Sequence, residues 1–383
     1  MKRIYLDHAA TTAVDREVMQ AMTPYFTERF GNASSLHTFG RDANQALARA
    51  RAEVADALGA SAEEIIFTSG GTESDNLALR GVLLGHKGHI ITSSIEHPAI
   101  LKTCQYLERL GCDVTYLPVD ADGLVDPGDV ESAITSETRL ISVMHANNEI
   151  GTIQPISEIG AIATDHGIPF HTDAVQSFGK TELDVRKMNI DMLSLSSHKI
   201  YGPKGVGALY VSKELKIDPL LYGGGHEMGI RAGTENISGI VGFAKAVSLA
   251  CERFESDTAH LVKLRDMLIN GMFDSIDDLF LNGHRAKRLP NNANLRFMFV
   301  EGEAMLMHLD INGIAASTGS ACSSASLDPS HVLLALGIPQ EDVHGSIRFT
   351  LGRENTEEEI KYVLEVFPTI IEKLRAISPL TRR

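Results

Sequence analysis

Cys322 stands in the run AASTGSACSSASLDPSHV, among Ser, Gly, Ala and Thr with almost nothing bulky beside it. A structural cysteine usually packs among large apolar side chains, because a free thiol behaves as a small hydrophobe. This one has the surroundings of a surface loop instead. Of the other three, Cys104 and Cys251 sit in helical patterns where packing accounts for them, and no CxxC pair suggests a disulfide framework or zinc. A lone thiol in such a setting is a candidate nucleophile.

Lys199 closes DMLSLSSHK, an apolar run ending in Ser196, Ser197 and His198. A desolvated lysine with a lowered pKa forms Schiff bases, although one that snorkels to solvent fits equally well. Asp173 ends IPFHTD, with Gln176 three residues on. A carboxylate there suits the pyridine nitrogen of pyridoxal 5′-phosphate; capping the next turn is the plainer alternative. FTSGGTESDN reads as a strand, a Gly turn and a helix opening at about Thr72, whose free N–H groups form an anion seat. An ordinary Thr cap, with Glu73 and Asp75 complementing the dipole, explains that piece alone at least as well. Together the three outweigh their alternatives, because one cofactor needs an amine, a carboxylate and a phosphate seat. His97, before Pro98 at a helix start, suits stacking or proton transfer. Arg348, inside the apolar strand SIRFTLG, needs an anion, either a ligand carboxylate or an internal partner. His86 and His89 read as turn residues.

The elements that must hold these groups alternate. EIIFTSG, GHIITSSI, DVTYLPV, TRLISVMHANN, IPFHTDAV, DMLSLSSH and GALYVS read as seven strands, with helical patterns such as PAILKTCQYLERLG and ISEIGAIATDHG between several of them. The rhythm predicts an α/β fold, a mostly parallel sheet with helices on both faces. Ligands gather beyond the C-terminal strand ends of such sheets, where the polar segments fall. After a helical stretch near 235–275 the pattern becomes α+β, placing a domain boundary near 255–265.

At 383 residues the chain can bury a large core, and its net charge of −15 argues against nucleic acid or an anionic membrane as the main partner. No apolar run has transmembrane length and the N-terminus shows no secretory h-region, so a cytoplasmic location is expected.

The segments YLDHAATT, FGNASSLH, FTSGGTESDN, EHPA, MHANNEIGT, HTDAVQS, SSHKIYGPKGVGALY, GGGHEMGIRAGTEN, GSACSSAS and SIRFTLG, in this order over nearly the whole chain, resemble the NifS/IscS cysteine desulfurases. The resemblance implies a pyridoxal-phosphate-dependent transferase of fold type I, acting as a homodimer. Residues 15–260 would form its large domain with a mostly parallel seven-stranded sheet. Residues 1–14 and 261–383 would form the small α+β domain carrying the Cys322 loop. L-cysteine would become L-alanine, with sulfur held on Cys322 as a persulfide and passed to an IscU-like iron–sulfur scaffold. Lys199 would carry pyridoxal 5′-phosphate, Asp173 would face the ring nitrogen, Gln176 the ring hydroxyl, and His97 would stack and move protons. Gly71, Thr72, Ser196 and His198 would seat the phosphate, with Thr234 from the second subunit. Arg348 and Asn148 would bind the substrate carboxylate, Asn148 also lying against the cofactor. Two departures stand out: many relatives carry Ala at Gly71 and Arg at Met228. A selenocysteine lyase, or a largely non-catalytic assembly subunit using Cys322 as an iron–sulfur ligand in a complex, would share parts of this pattern. No other metal site is expected.

Overall fold

The computed structural model describes residues 3–83, 87–318 and 328–379, so Cys322 and His86 lie outside the described residues. Twelve strands occur among them: β1 (Ile4–Tyr5), β2 (Ile65–Thr68), β3 (His89–Ser93), β4 (Asp113–Leu117), β5 (Thr138–Ser142), β6 (Phe170–Asp173), β7 (Met192–Ser196), β8 (Gly207–Val211), β9 (Leu279–Leu281), β10 (Asn292–Phe297), β11 (Ile314–Ala315) and β12 (Ser346–Thr350). Seven form one sheet in the order β2-β8-β7-β6-β5-β3-β4. Only β8 runs antiparallel to its neighbours, as the mostly parallel reading expects.

Both faces of this sheet are apolar, which explains why its strands read as continuous hydrophobic runs. Phe67, Leu193, Leu195 and Tyr210 point into a core shared with the helices Thr38–Leu58, Ile156–Asp165 and Ile237–Glu252. Ile66, Ile90, Leu140 and Leu209 point the other way, against Gly71–Leu83 and Pro98–Arg109. Cys104 is buried there, but Cys251 is exposed, so packing does not account for Cys251. His89 is no turn residue either: it opens β3, buried, with Thr138 Oγ1 at 2.9 Å and Thr115 Oγ1 at 2.8 Å from its ring nitrogens.

A separate apolar cluster surrounds the antiparallel β12-β10-β9 sheet and the β1-β11 pair. Phe367, on the helix Glu357–Ile377, packs edge-on against Phe297 and Phe349, with centroids 5.0 and 5.8 Å away. That helix continues through Pro368. A capping box at its start, Thr356 with Glu359, satisfies the first free N–H groups.

Candidate active site

The turn after β2 needs glycine. Gly70 has φ +151°, and a Cβ on the adjacent Gly207 would lie 2.5 Å from Leu195 O and 2.7 Å from Gly70 Cα. The helix that follows begins at Gly71, so Thr72 sits inside the first turn and is not its cap. Its first N–H groups and positive dipole end open toward Ser196 and His198, whose side chains line the same cavity. Glu73 is taken up by Ser69 N (2.8 Å) and Arg231 Nε (2.8 Å). Asp75 turns inward and is buried.

Lys199 follows β7 in a short 3-10 turn that aims its amine back over the sheet. Nζ donates to the carbonyls of Ala9 and, at 2.8 Å, Ala10. Gln176 Nε2 donates to the same Ala9 carbonyl at 2.9 Å. The N-terminal segment is held there by Thr12 N to His198 O (3.0 Å) and Ala9 N to Thr350 Oγ1 (2.9 Å). Asp173, at the end of β6, accepts Val175 N–H at 2.9 Å. Burial pushes its carboxyl up to about 6, against the pull of Val175 N–H and Lys199.

His97 caps the helix Pro98–Arg109, its Nδ1 accepting Ala99 N–H at 3.2 Å. A ring nitrogen that accepts carries no proton, so the neutral ring bears its hydrogen on Nε2. Burial, with Lys199 and His331 nearby, holds its pKa down at about 4. His198 is likewise held to about 4, by burial and then by Lys199 and Lys204. Both imidazoles are neutral at physiological pH.

Arg348 lies in β12, 2% exposed. Nη2 donates to Asp7 Oδ1 and Nη1 to Asn148 O, each at 2.9 Å. The sequence left open whether its anion is internal or a ligand. Asp7 is the internal partner, yet the guanidinium still lines the cavity. Asn148 is set by its neighbour Asn147, which bonds Ile95 O and the N–H groups of Glu149 and Ile150.

One cavity of about 420 Å³, beyond the C-terminal ends of β5, β6 and β7, thus gathers Gly71, Thr72, His97, Asn148, Asp173, Gln176, Ser196, His198, Lys199 and Arg348. Thr234 is exposed and outside it, and Cys322 lies outside the described residues. The sequence assigned nothing to Asp7, Ala9 or Ala10, and gave Asp75 only a part in complementing the helix dipole. YLDHAATT was the available signal for the first three, and the charge of Asp75 inside an apolar helix pattern for the last.

The aminotransferase class-V family model matches residues 4–363. A cysteine desulfurase IscS of Dictyoglomus turgidum is 55% identical over 99% of this chain and 97% of its own length. One of Methanosarcina thermophila is 56% identical over 99% and 95%. Among solved structures, a NifS-like protein superposes with TM-score 0.92 at 38% identity, covering 97% of this chain and 100% of that one. A structure of SspA in complex with cysteine gives 0.82 at 41%, covering 93% and 100%. The chain belongs to the class-V aminotransferase family. Within it, relatives matched over nearly their whole length include IscS cysteine desulfurases.

Proposed function

We infer that this chain is a pyridoxal-phosphate-dependent cysteine desulfurase acting in iron–sulfur cluster assembly. L-cysteine and the Cys322 thiol give L-alanine and a Cys322 persulfide: the substrate C–S bond breaks, an S–S bond forms, and the thiol's hydrogen ends on the new methyl group. An iron–sulfur scaffold then takes the outer sulfur. The observation that carries this is the convergence of Lys199, Asp173, the start of helix Gly71–Leu83 and Arg348 in one cavity.

The donor set fits pyridoxal phosphate. Helix N–H groups with Thr72, Ser196 and His198 suit a phosphate dianion, Lys199 suits an aldehyde, and the buried Asp173 suits a ring nitrogen. When bound, the cofactor supplies an electron-accepting ring for charge left on the substrate Cα. Lys199 Nζ would hold it and move the Cα proton, while Asp173 would keep a proton at the ring nitrogen. Gln176 would face the ring hydroxyl. Neutral His97 would lie against the ring, its Nε2 hydrogen placed for proton transfer. Arg348 and Asn148 would orient the substrate carboxylate, since a guanidinium fork matches it bidentately. Cys322 would attack sulfur as the thiolate.

A homodimer is supported by exposed Phe26, Phe30, Leu36 and Phe39 clustered near the N-terminus, with Phe30 and Phe39 rings 5.5 Å apart. Exposed Thr234, outside its own cavity, suits a phosphate contact in the second subunit. Domains of 15–260, and of 1–14 with 261–383, are supported by the separate apolar clusters. Among the described residues no helix is long and apolar enough to cross a membrane; we propose a cytoplasmic location.

The test is to load the protein with pyridoxal phosphate, add L-cysteine, and measure alanine, sulfide and the intact mass. Added sulfur on Cys322, lost in Cys322→Ala, with the cofactor's visible band lost in Lys199→Ala, is the expected result. Undiminished sulfide release by Cys322→Ala refutes the persulfide route and favours a lyase.

A further inference from the structure

Asp75 has no part in the chemistry above, yet it lines the same cavity as Asp173 and is 1% exposed. Its Oδ1 has no hydrogen-bond partner among the described residues, and Ser194 is the side chain that offers its carboxyl a hydrogen bond. Among the described residues, the basic group paired with it is His171, with Nε2 at 3.8 Å. That imidazole is buried, its nitrogens 2.9 Å from Ser142 Oγ and 3.0 Å from Ser194 Oγ. Burial holds its pKa near 3, so it brings no positive charge. Asp173, by contrast, has the Val175 N–H and the nearby Lys199 amine. The third acid facing this region, Glu96, is fully buried, with Oε1 bonded to Ser93 Oγ and Met144 N and Oε2 without a partner among the described residues.

Two carboxyls in one buried pocket cannot both ionise cheaply, and the one with fewer donors keeps the proton. We propose that Asp75 is held as a neutral carboxylic acid and is a positioning residue, confining the charge of the Asp75–Asp173 pair to Asp173. This rests on the reading of Asp173 as the partner of a pyridine nitrogen. A single anion there matches the single proton on the ring. A second would compete for that proton and repel the first.

Infrared spectra of the cofactor-free protein near neutral pH test this directly. A protonated-carboxyl band that shifts on isotope labelling of aspartate carboxyls, and is lost in Asp75→Asn, is the expected result. In the loaded protein, Asp75→Asn should leave the pH at which the visible band titrates within about a quarter of a unit of wild type. An ionised Asp75 would instead move it down by about one unit, since a neighbouring negative charge is removed. A band insensitive to aspartate labelling, or that shift in Asp75→Asn, overturns the inference and leaves the role of Asp173 intact. Unchanged pyridoxal phosphate affinity and spectrum in Asp173→Asn overturn the underlying reading, and the inference with it.

Discussion

Arg348→Lys separates charge from shape at the carboxylate end of the cavity. The native guanidinium spans Asp7 Oδ1 and Asn148 O, each at 2.9 Å, from a position only 2% exposed. Lysine keeps the charge but loses the planar fork. It can hold Asp7 or the Asn148 carbonyl, and can meet a substrate carboxylate through one hydrogen bond at best. A charge-assisted hydrogen bond contributes roughly 1.5–3 kcal/mol, so losing one on the substrate side lowers kcat/KM by roughly 10- to 150-fold. Most of that should appear in KM, because the carboxylate is bound alike in ground and transition states. Leaving the half-buried Asn148 carbonyl unpaired adds a stability cost of about 1 kcal/mol. Alanine formation across a range of L-cysteine, with urea denaturation alongside, measures both. Asp7→Asn serves as the companion, and with Arg348→Lys the two effects should be non-additive, since the residues touch. A KM within about threefold of wild type in Arg348→Lys refutes the assignment of Arg348 to the substrate carboxylate.

Three other outcomes are expected. Glu227 accepts two N–H groups from Arg51, both at 2.7 Å, and Phe67 N–H at 2.8 Å, so Glu227→Gln should cost about 3 kcal/mol in urea denaturation, and a loss below about 1 kcal/mol contradicts it. A Cβ on Gly71 would stand 2.7 Å from Val175 Cγ2, so Gly71→Ala should weaken pyridoxal phosphate binding, and Val175→Ala should restore it; equal binding by Gly71→Ala alone counts against the clash. Burial holds His8, His97, His145 and His198 to about 4 and His171 to about 3, so they bind protons when unfolded but not when folded, and the stability they contribute is lost as pH falls through their unfolded value toward 4. Glu96, raised to about 8, and Asp173, raised to about 6, oppose this together with Asp75, Asp191 and Asp257. His89 and the depressed carboxyls of Asp15, Glu64 and Glu73 act in the same direction as the five histidines, and together they outweigh the raised acids. The urea midpoint should therefore be lower at about pH 5 than at about pH 7, and the reverse order refutes the balance.

The strands were legible because a doubly covered sheet demands apolar runs, and each of the seven falls inside its expected segment. The polar residues at their ends marked the cavity for a related reason: strand exits are where a buried sheet can expose chemistry. What was not legible depends on distance. Asp7 and Arg348 are 341 residues apart, and no local pattern links them. Asp75 looked like a dipole partner because its helix position is readable, whereas the direction it faces depends on packing against β6 and β7. Pro368 gave no break because the apolar face of its helix, with Val363, Phe367, Ile370 and Ile371 buried, outweighs the missing hydrogen bond.

The segment that carries Asp7 and lines the cavity with Ala9 and Ala10 also dictates an order of assembly. These residues precede the seven-stranded sheet in the chain, while their partners in β12 follow it. Domains tend to fold as they emerge from the ribosome, N-terminal part first. Here the sheet can form early, but the arginine end of the site stays open until residues 346–350 arrive and dock on the waiting N-terminal segment. Closing so long a loop adds little entropy beyond a shorter one, because the cost rises only with the logarithm of length. The delay is therefore one of timing more than of stability, and a growing chain presents Lys199 before it has the means to select a substrate.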